Sequence, residues 1–343
     1  FWPKVDEDSY FSIIENEQVV TKKFPNTGFT MNVNKASYSN VKRYVLSQSE
    51  VPPDMVRVEE LVNYFNLRYK VPTAKELFKT ESQLTFCPWN KKSKLLFVTV
   101  NANKVDVENT PSANLVFLID ASASMDMPNR LPLIKAAFQA FTQNLRPSDI
   151  VSIVTYGGTV NIKLTAVSGA DKQQIAQAIE QIRPDGDTPG EEGIKRAYEV
   201  AEKSFLKGGN NRVILATDGD FNEGGDISGR NIESLIQKKR EAGIIMSCLG
   251  VGVNNFRDSK LERFAGIGKG NYTYLDNLKT AENFLLKELS PAFKPLAINA
   301  TLDVHFNDNI VKDYRLLGFD NTRSVIKKGT DDLIGENITS GKS

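Results

Sequence analysis

Asp120-Ala121-Ser122-Ala123-Ser124 follows directly on the apolar run Leu115-Val116-Phe117-Leu118-Ile119, and this junction decides the fold. An uncharged run bounded by turn residues reads as a strand buried on both faces of a parallel sheet. Asp120 then stands at the strand's carboxyl end, where open α/β sheets bind their ligands. One carboxylate and two hydroxyls gather there within a single turn. All are small oxygen donors, which suits a hard cation such as Mg²⁺, Mn²⁺ or Ca²⁺ over a softer metal.

Two further segments supply matching groups. Arg212-Val213-Ile214-Leu215-Ala216 is a second buried strand, ending in Thr217-Asp218-Gly219-Asp220, and Asp218 is its candidate ligand. The loop Pro184-Asp185-Gly186-Asp187-Thr188-Pro189-Gly190 lies between the two strands, punctuated by glycine and proline as a tight surface turn before a helix, and it offers the Thr188 hydroxyl.

Around these segments the chain alternates strand and helix in the rhythm of parallel βαβ units. The spacing predicts a strand over 114–119 and a helix over 131–145, with Leu131, Ile134, Phe138, Phe141 and Leu145 at helical intervals. Strands over 149–156 and 161–167, joined at Gly157-Gly158, form an antiparallel edge pair, and helices follow over 171–182 and 190–206. The series continues with strand 212–217, helix 230–242, strand 244–251, a short helix at 258–265, strand 271–275 and helix 279–289. The flanks differ in kind, with alternating strands over 82–87, 95–100 and 297–306 and amino-terminal helices over 36–48 and 54–65. The expected fold is α/β: a doubly wound, mostly parallel, Rossmann-like sheet over 112–293, inserted in a β-rich accessory domain built from 1–111 and 294–343.

With 343 residues, 40% hydrophobic and 25% charged, the chain is globular and long enough for two domains. Its 43 basic residues against 42 acidic ones leave no field to draw nucleic acid or anionic lipid to the molecule as a whole. Cys87 and Cys248 show no disulfide framework and read as buried thiols. No segment has the apolar length of a membrane span. The single histidine, His305, has no Gly-x-Ser-x-Gly elbow and no second histidine to work with, so triad and zinc hydrolysis lack parts. Asp218 does not open an EF-hand, since Glu223 stands where the turn glycine belongs and Gly229 where the bidentate glutamate belongs. Gly266-x-Gly268-x-Gly270 precedes a strand and does not open a helix, so it reads as a loop and not as a dinucleotide fingerprint. Trp2, Trp89, Phe86 and Phe97 are expected in core or interface packing.

Asp-x-Ser-x-Ser after the first strand, a threonine in a later loop and Thr217-Asp218-Gly219 after the fourth strand together resemble the metal-ion-dependent adhesion site of von Willebrand factor type A domains. The likeness covers about 112–293. Lys35-Ala36-Ser37-Tyr38-Ser39-Asn40-Val41-Lys42-Arg43, Arg57-Val58-Glu59-Glu60-Leu61-Val62-Asn63-Tyr64-Phe65, Cys87-Pro88-Trp89-Asn90 and Tyr314-Arg315-Leu316-Leu317-Gly318 are similar to a bacterial cell-envelope family that carries this domain in mid-chain. The resemblance implies that Ser122, Ser124 and Thr188 bind the metal through their hydroxyls, with Asp120 and Asp218 close by through water. Mg²⁺ is the first expectation, with Ca²⁺ and Mn²⁺ as alternatives.

Mostly neutral ligands leave such a cation electron-poor, so its open position would take an Asp or Glu from a protein partner. The implied function is a non-enzymatic adhesion or assembly module of the cell envelope, with a lipid anchor ahead of Phe1 and a carboxyl-terminal segment that stops short of a further strand. This chain departs from the pattern in carrying Ala121 and Ala123 between its motif residues. An acidic rim of Asp126, Asp187, Glu191, Glu192, Asp220 and Glu223 would repel an acidic partner and make Ca²⁺ more competitive. Two other readings stand beside this one. A metal-dependent phosphoester hydrolase would use the same hard cation but lacks a nucleophile, a base and a phosphate clamp, Arg130 and Lys135 being placed on the next helix. An envelope scaffold would carry the site as a vestige.

Overall fold

The computed structural model describes residues 10, 12–30, 34–65, 67, 69–73, 75–103, 110–219, 226–252, 258–285, 295–319 and 336–339. Trp2, Asp220, Glu223 and the end of the expected helix at 286–289 lie outside them. The chain forms two compact units. The first draws on residues up to 14, on 34–57 and on 111–293, and the second on 15–33, 58–110 and 294–343.

In chain order the first unit runs α1 (Ala36–Leu46), β1 (Ala113–Asp120), α2 (Leu131–Thr142), β2 (Ile150–Gly157), β3 (Thr159–Ser168), α3 (Lys172–Glu180), α4 (Gly190–Lys203), β4 (Asn210–Thr217), α5 (Asp226–Glu241), β5 (Ile244–Gly250), α6 (Asp258–Ile267), β6 (Lys269–Tyr274) and α7 (Leu278–Glu282). The sheet order is β6-β5-β4-β1-β2-β3, parallel except for the β2–β3 edge hairpin. The order reverses between β1 and β4, so the crevice at their carboxyl ends is the switch point where such sheets bind ligands.

All eight residues of β1 are buried, because its successive side chains enter two different helical layers. Leu115, Phe117 and Ile119 meet Ile134, Phe138 and Phe141 of α2 on one face, with the Phe117 and Phe138 rings stacked at 4.2 Å. Val116 and Leu118 meet Ile194, Ala197 and Tyr198 of α4 on the other. Burial on both faces is why the strand reads as an unbroken apolar run.

Residues 34–57 fall in the first unit and not with the amino-terminal flank, which departs from the expected boundary at 112. The cause is a buried polar cluster. Asp258, at the start of α6 and fully buried, accepts from Asn40 Nδ2 of α1 at 2.9 Å, from Arg57 Nη1 at 2.8 Å and from the Tyr272 hydroxyl. Lys42 adds an ion pair to Asp276 at 2.9 Å. No apolar periodicity announces such a contact.

The second unit contains a helix over Val58–Tyr64 and three small sheets. Val19–Val20 pairs with Asp313–Tyr314. Pro295–His305 lies between Asn26–Thr30 and Glu336–Thr339, both antiparallel to it. The third sheet is a hairpin, Phe78–Phe86 with Lys94–Ala102, whose strands pair, among the described residues, with each other alone. The strand at 26–30 has no alternating pattern and escapes a sequence reading. Cys87 and Cys248 are buried free thiols, as expected. Phe86 and Trp89 correct the core half of the core-or-interface expectation: they are 75% and 70% exposed, because the two-stranded hairpin has no second layer among the described residues to cover its tip.

Candidate metal centre

Asp120 closes β1 with its side chain fully buried. Its Oδ1 accepts the backbone N–H of Ser122 at 2.9 Å, which turns the chain sharply out of the strand. Its Oδ2 accepts the Thr217 hydroxyl at 2.6 Å, and Thr217 Oγ1 accepts in turn from the Gly219 N–H at 2.9 Å. Ser122 is extended and leads into a single 3₁₀ turn over Ala123–Met125, which brings the Ser122 and Ser124 hydroxyls within 3.1 Å of each other. Ser124 Oγ then donates to Asp218 Oδ2 at 2.9 Å. The Ser122 and Ser124 hydroxyls and the Asp218 carboxylate therefore form one chain of oxygen groups, and Asp120 is tied to the same turn through the Ser122 N–H, across the ends of β1 and β4.

The loop that precedes Thr188 is tied to the serine turn and to the β2–β3 hairpin. Asp185 N–H donates to the Ala121 carbonyl at 2.7 Å, Ala123 N–H to the Gly186 carbonyl at 3.0 Å, and Gly158 N–H to the Asp187 carbonyl at 2.8 Å. These bonds lace the 185–187 segment to the serine turn, and Thr188, next in the chain, is buried. The close approach depends on Gly157, where an added Cβ would stand 2.2 Å from the Ala121 carbonyl oxygen. The Gly157-Gly158 pair thus does more than turn the hairpin.

Two residues of the site have roles that the sequence does not assign them, and Arg130, expected on the following helix, instead reaches Asp218. Thr217 holds Asp120, and only the β1–β4 register brings the two together. Arg130 caps α2 and turns back, its Nη1 donating to Asp218 Oδ2 at 2.6 Å and to the Ser124 carbonyl at 2.7 Å. Lys135 points elsewhere, to Glu180. Gly252 makes room for Arg130: it has φ +92°, and a Cβ there would stand 2.7 Å from Arg130 Nε. Gly252→Ala should cost about 1–3 kcal/mol through combined strain and clash. Urea unfolding measures it, and a loss within error of zero would show that Arg130 is free to move aside.

Burial first, and then the negative charge of Asp218, push the Asp120 carboxyl up to about 7. Two buried acids meet here, and Arg130 is bonded to the outer one. In the metal-free chain Asp120 holds its proton to about 7, against an ordinary value of 3.8. The native state therefore binds more protons between those limits, and this contribution to stability is complete below 3.8 and gone above about 7. Chemical denaturation of chelator-stripped protein should show stability falling as pH rises through that window; a rise would reverse the sign of the argument.

The donor set fits a hard divalent cation: hydroxyl and carboxylate oxygens, with no imidazole, thiolate or thioether. Among the described residues no group of three or more His, Cys, Asp and Glu side chains gathers, so a site here must draw on hydroxyls. Asp187 and Asp126 of the expected rim are exposed, and Glu191 pairs with Lys195 at 2.5 Å.

Comparisons with known proteins place the chain in a family. The von Willebrand factor type A domain profile matches residues 114–287, and a second profile described as von Willebrand factor matches 4–97. The uncharacterized protein YfbK of Escherichia coli K12 is 38% identical over 93% of this chain and 56% of its own length. The uncharacterized protein sll0103 of Synechocystis is 28% identical over 53% of this chain and 42% of its own. The chain thus spans about half the length of these curated relatives. Among solved structures, the conserved hypothetical protein BatB from Bacteroides thetaiotaomicron is similar at 22% identity and a TM-score of 0.45, over 52% of this chain and 98% of that one. With the profile match running from β1 past α7, and with the sheet and its switch-point site in place, the chain belongs to the von Willebrand factor type A domain family.

Proposed function

We propose that the chain is a non-enzymatic binding module in which Ser122, Ser124 and Thr188 hold a divalent cation, Mg²⁺ first, supported by Asp120 and Asp218. The observation that carries this reading is the Ser122–Ser124–Asp218 run of hydroxyl and carboxylate oxygens at the sheet's switch point, with Asp120 fastened beside it through the Ser122 backbone N–H. When bound, the cation would supply one open coordination position for a carboxylate of a protein partner. The chain's own residues set that up. Thr217 orients Asp120, Arg130 holds Asp218 in place and offsets its charge, and the neutral hydroxyls leave the ion's demand for a further anion unmet.

A phosphoester hydrolase is less well supported. Arg130 is occupied by Asp218 and Ser124, and Lys135 by Glu180, so neither cation stands ready as a phosphate clamp. Immobilised chain incubated with an envelope extract from its source should retain a partner in magnesium and release it in EDTA, and Ser122→Ala should retain none. Equal retention with and without EDTA would end the metal-capture reading.

A further inference from the structure

The hairpin Phe78–Phe86 and Lys94–Ala102 carries an apolar face left exposed at its tip. Phe86 lies opposite Lys94 and Leu84 opposite Leu96, so these side chains share one face. Leu84, Phe86 and Leu96 are 65%, 75% and 45% exposed, and Trp89 in the connecting turn is 70% exposed. Contiguous exposure of this kind in a folded chain marks an interaction surface.

The charge around it has one sign. Lys91, Lys92 and Lys94 are all exposed, and the sequence has no acidic residue between Glu81 and Asp106. Lys94 Nζ lies 3.6 Å from the centre of the Phe86 ring, so cation and aromatic face are already side by side. The chain as a whole is close to neutral, which makes this local excess the more selective.

We propose that this hairpin tip docks on an anionic phospholipid surface. Trp, Phe and Leu side chains partition to the headgroup level, and lysines beside them keep their charge among the phosphates while their stems stay apolar. Each such lysine adds a salt-sensitive attraction to an anionic leaflet. Insertion is shallow, because the outer edges of an isolated hairpin carry backbone groups that hydrocarbon would leave unsatisfied. No helix among the described residues is long and apolar enough to cross a membrane, so the contact is peripheral. A flat, diffuse anionic surface suits three exposed, flexible lysines with no pocket between them better than an acidic protein does.

The test uses the full chain carrying Trp2→Phe, so that Trp89 is its only tryptophan, with vesicles of phosphatidylcholine alone or with phosphatidylglycerol added. Sedimentation with the phosphatidylglycerol vesicles alone, a blue shift of Trp89 emission, and loss of binding at high salt are expected. In the Trp2→Phe chain, Phe86→Ser with Lys91→Glu and Lys92→Glu should abolish sedimentation and the blue shift. Circular dichroism and any Mg²⁺-induced melting shift should stay unchanged, since these side chains are exposed and distant in sequence from the metal centre. Absence of sedimentation with either vesicle would overturn the proposal, as would binding that survives the triple substitution. Concentration-dependent self-association abolished by the same substitutions, with no vesicle binding, would overturn it in favour of a second copy of the chain.

Discussion

Arg57→Met should destabilise the protein by about 3–5 kcal/mol, enough to lower the melting temperature by about 10 °C in a unit of this size. The size follows from what the substitution leaves behind. Asp258 is wholly buried, and its ion pair with Arg57 Nη1 at 2.8 Å supplies the compensating charge, with Glu262 a second, more exposed partner of the same guanidinium at 3.4 Å. Asn40 and Tyr272 still donate to Asp258 in the variant, but neither carries a charge. A buried carboxylate without its cation is among the costliest single defects a core can hold. Adding Asp258→Asn to Arg57→Met should recover part of the loss, because the amide needs no counter-charge. Thermal and urea unfolding of the two variants measure both effects. A loss under about 1 kcal/mol would show that residues 34–57 are appended to the first unit and do not hold it together.

Removing the two serine hydroxyls should have an effect of similar size on metal-dependent stability. At a Mg²⁺ concentration 100 times its dissociation constant, binding to the folded state alone stabilises by about 2.7 kcal/mol. Ser122→Ala with Ser124→Ala should erase that increment while leaving circular dichroism unchanged, since neither hydroxyl packs in the apolar core. Thr217→Val is a finer probe. It replaces none of the five proposed site residues and removes the hydroxyl that orients Asp120 and accepts from Gly219, so Mg²⁺ affinity should fall about 10–100-fold without being lost. If Thr217→Val and the double serine variant weaken binding equally, the serines are not direct ligands.

The sheet, and the placing of Asp120 and Asp218 at the ends of its strands, were legible because the physics behind them is local. A strand buried on both faces must be apolar throughout, and the residues that follow it must turn, so Leu115–Ile119 and the Asp120 junction announce themselves. The helices on the sheet show the same clarity through their periodicity, as Ile134, Phe138 and Phe141 do in α2. Arg130 and Thr217 were not legible, since their roles depend on the register between β1 and β4 and on a side chain folding back from a helix cap. The attachment of α1 through Asn40 and Arg57 is polar and joins residues more than 200 positions apart, so it leaves no periodic trace. Trp89 and Phe86 carry the composition of a core, and only the absence of a second layer over their hairpin places them at the surface.

The central claim is that these oxygen groups form a single divalent-cation site. Calorimetric titration of Mg²⁺ into chelator-stripped chain tests it most directly. One binding site per chain is predicted, lost in Ser122→Ala with Ser124→Ala. No binding at millimolar Mg²⁺, or the same binding in the double variant, would contradict it.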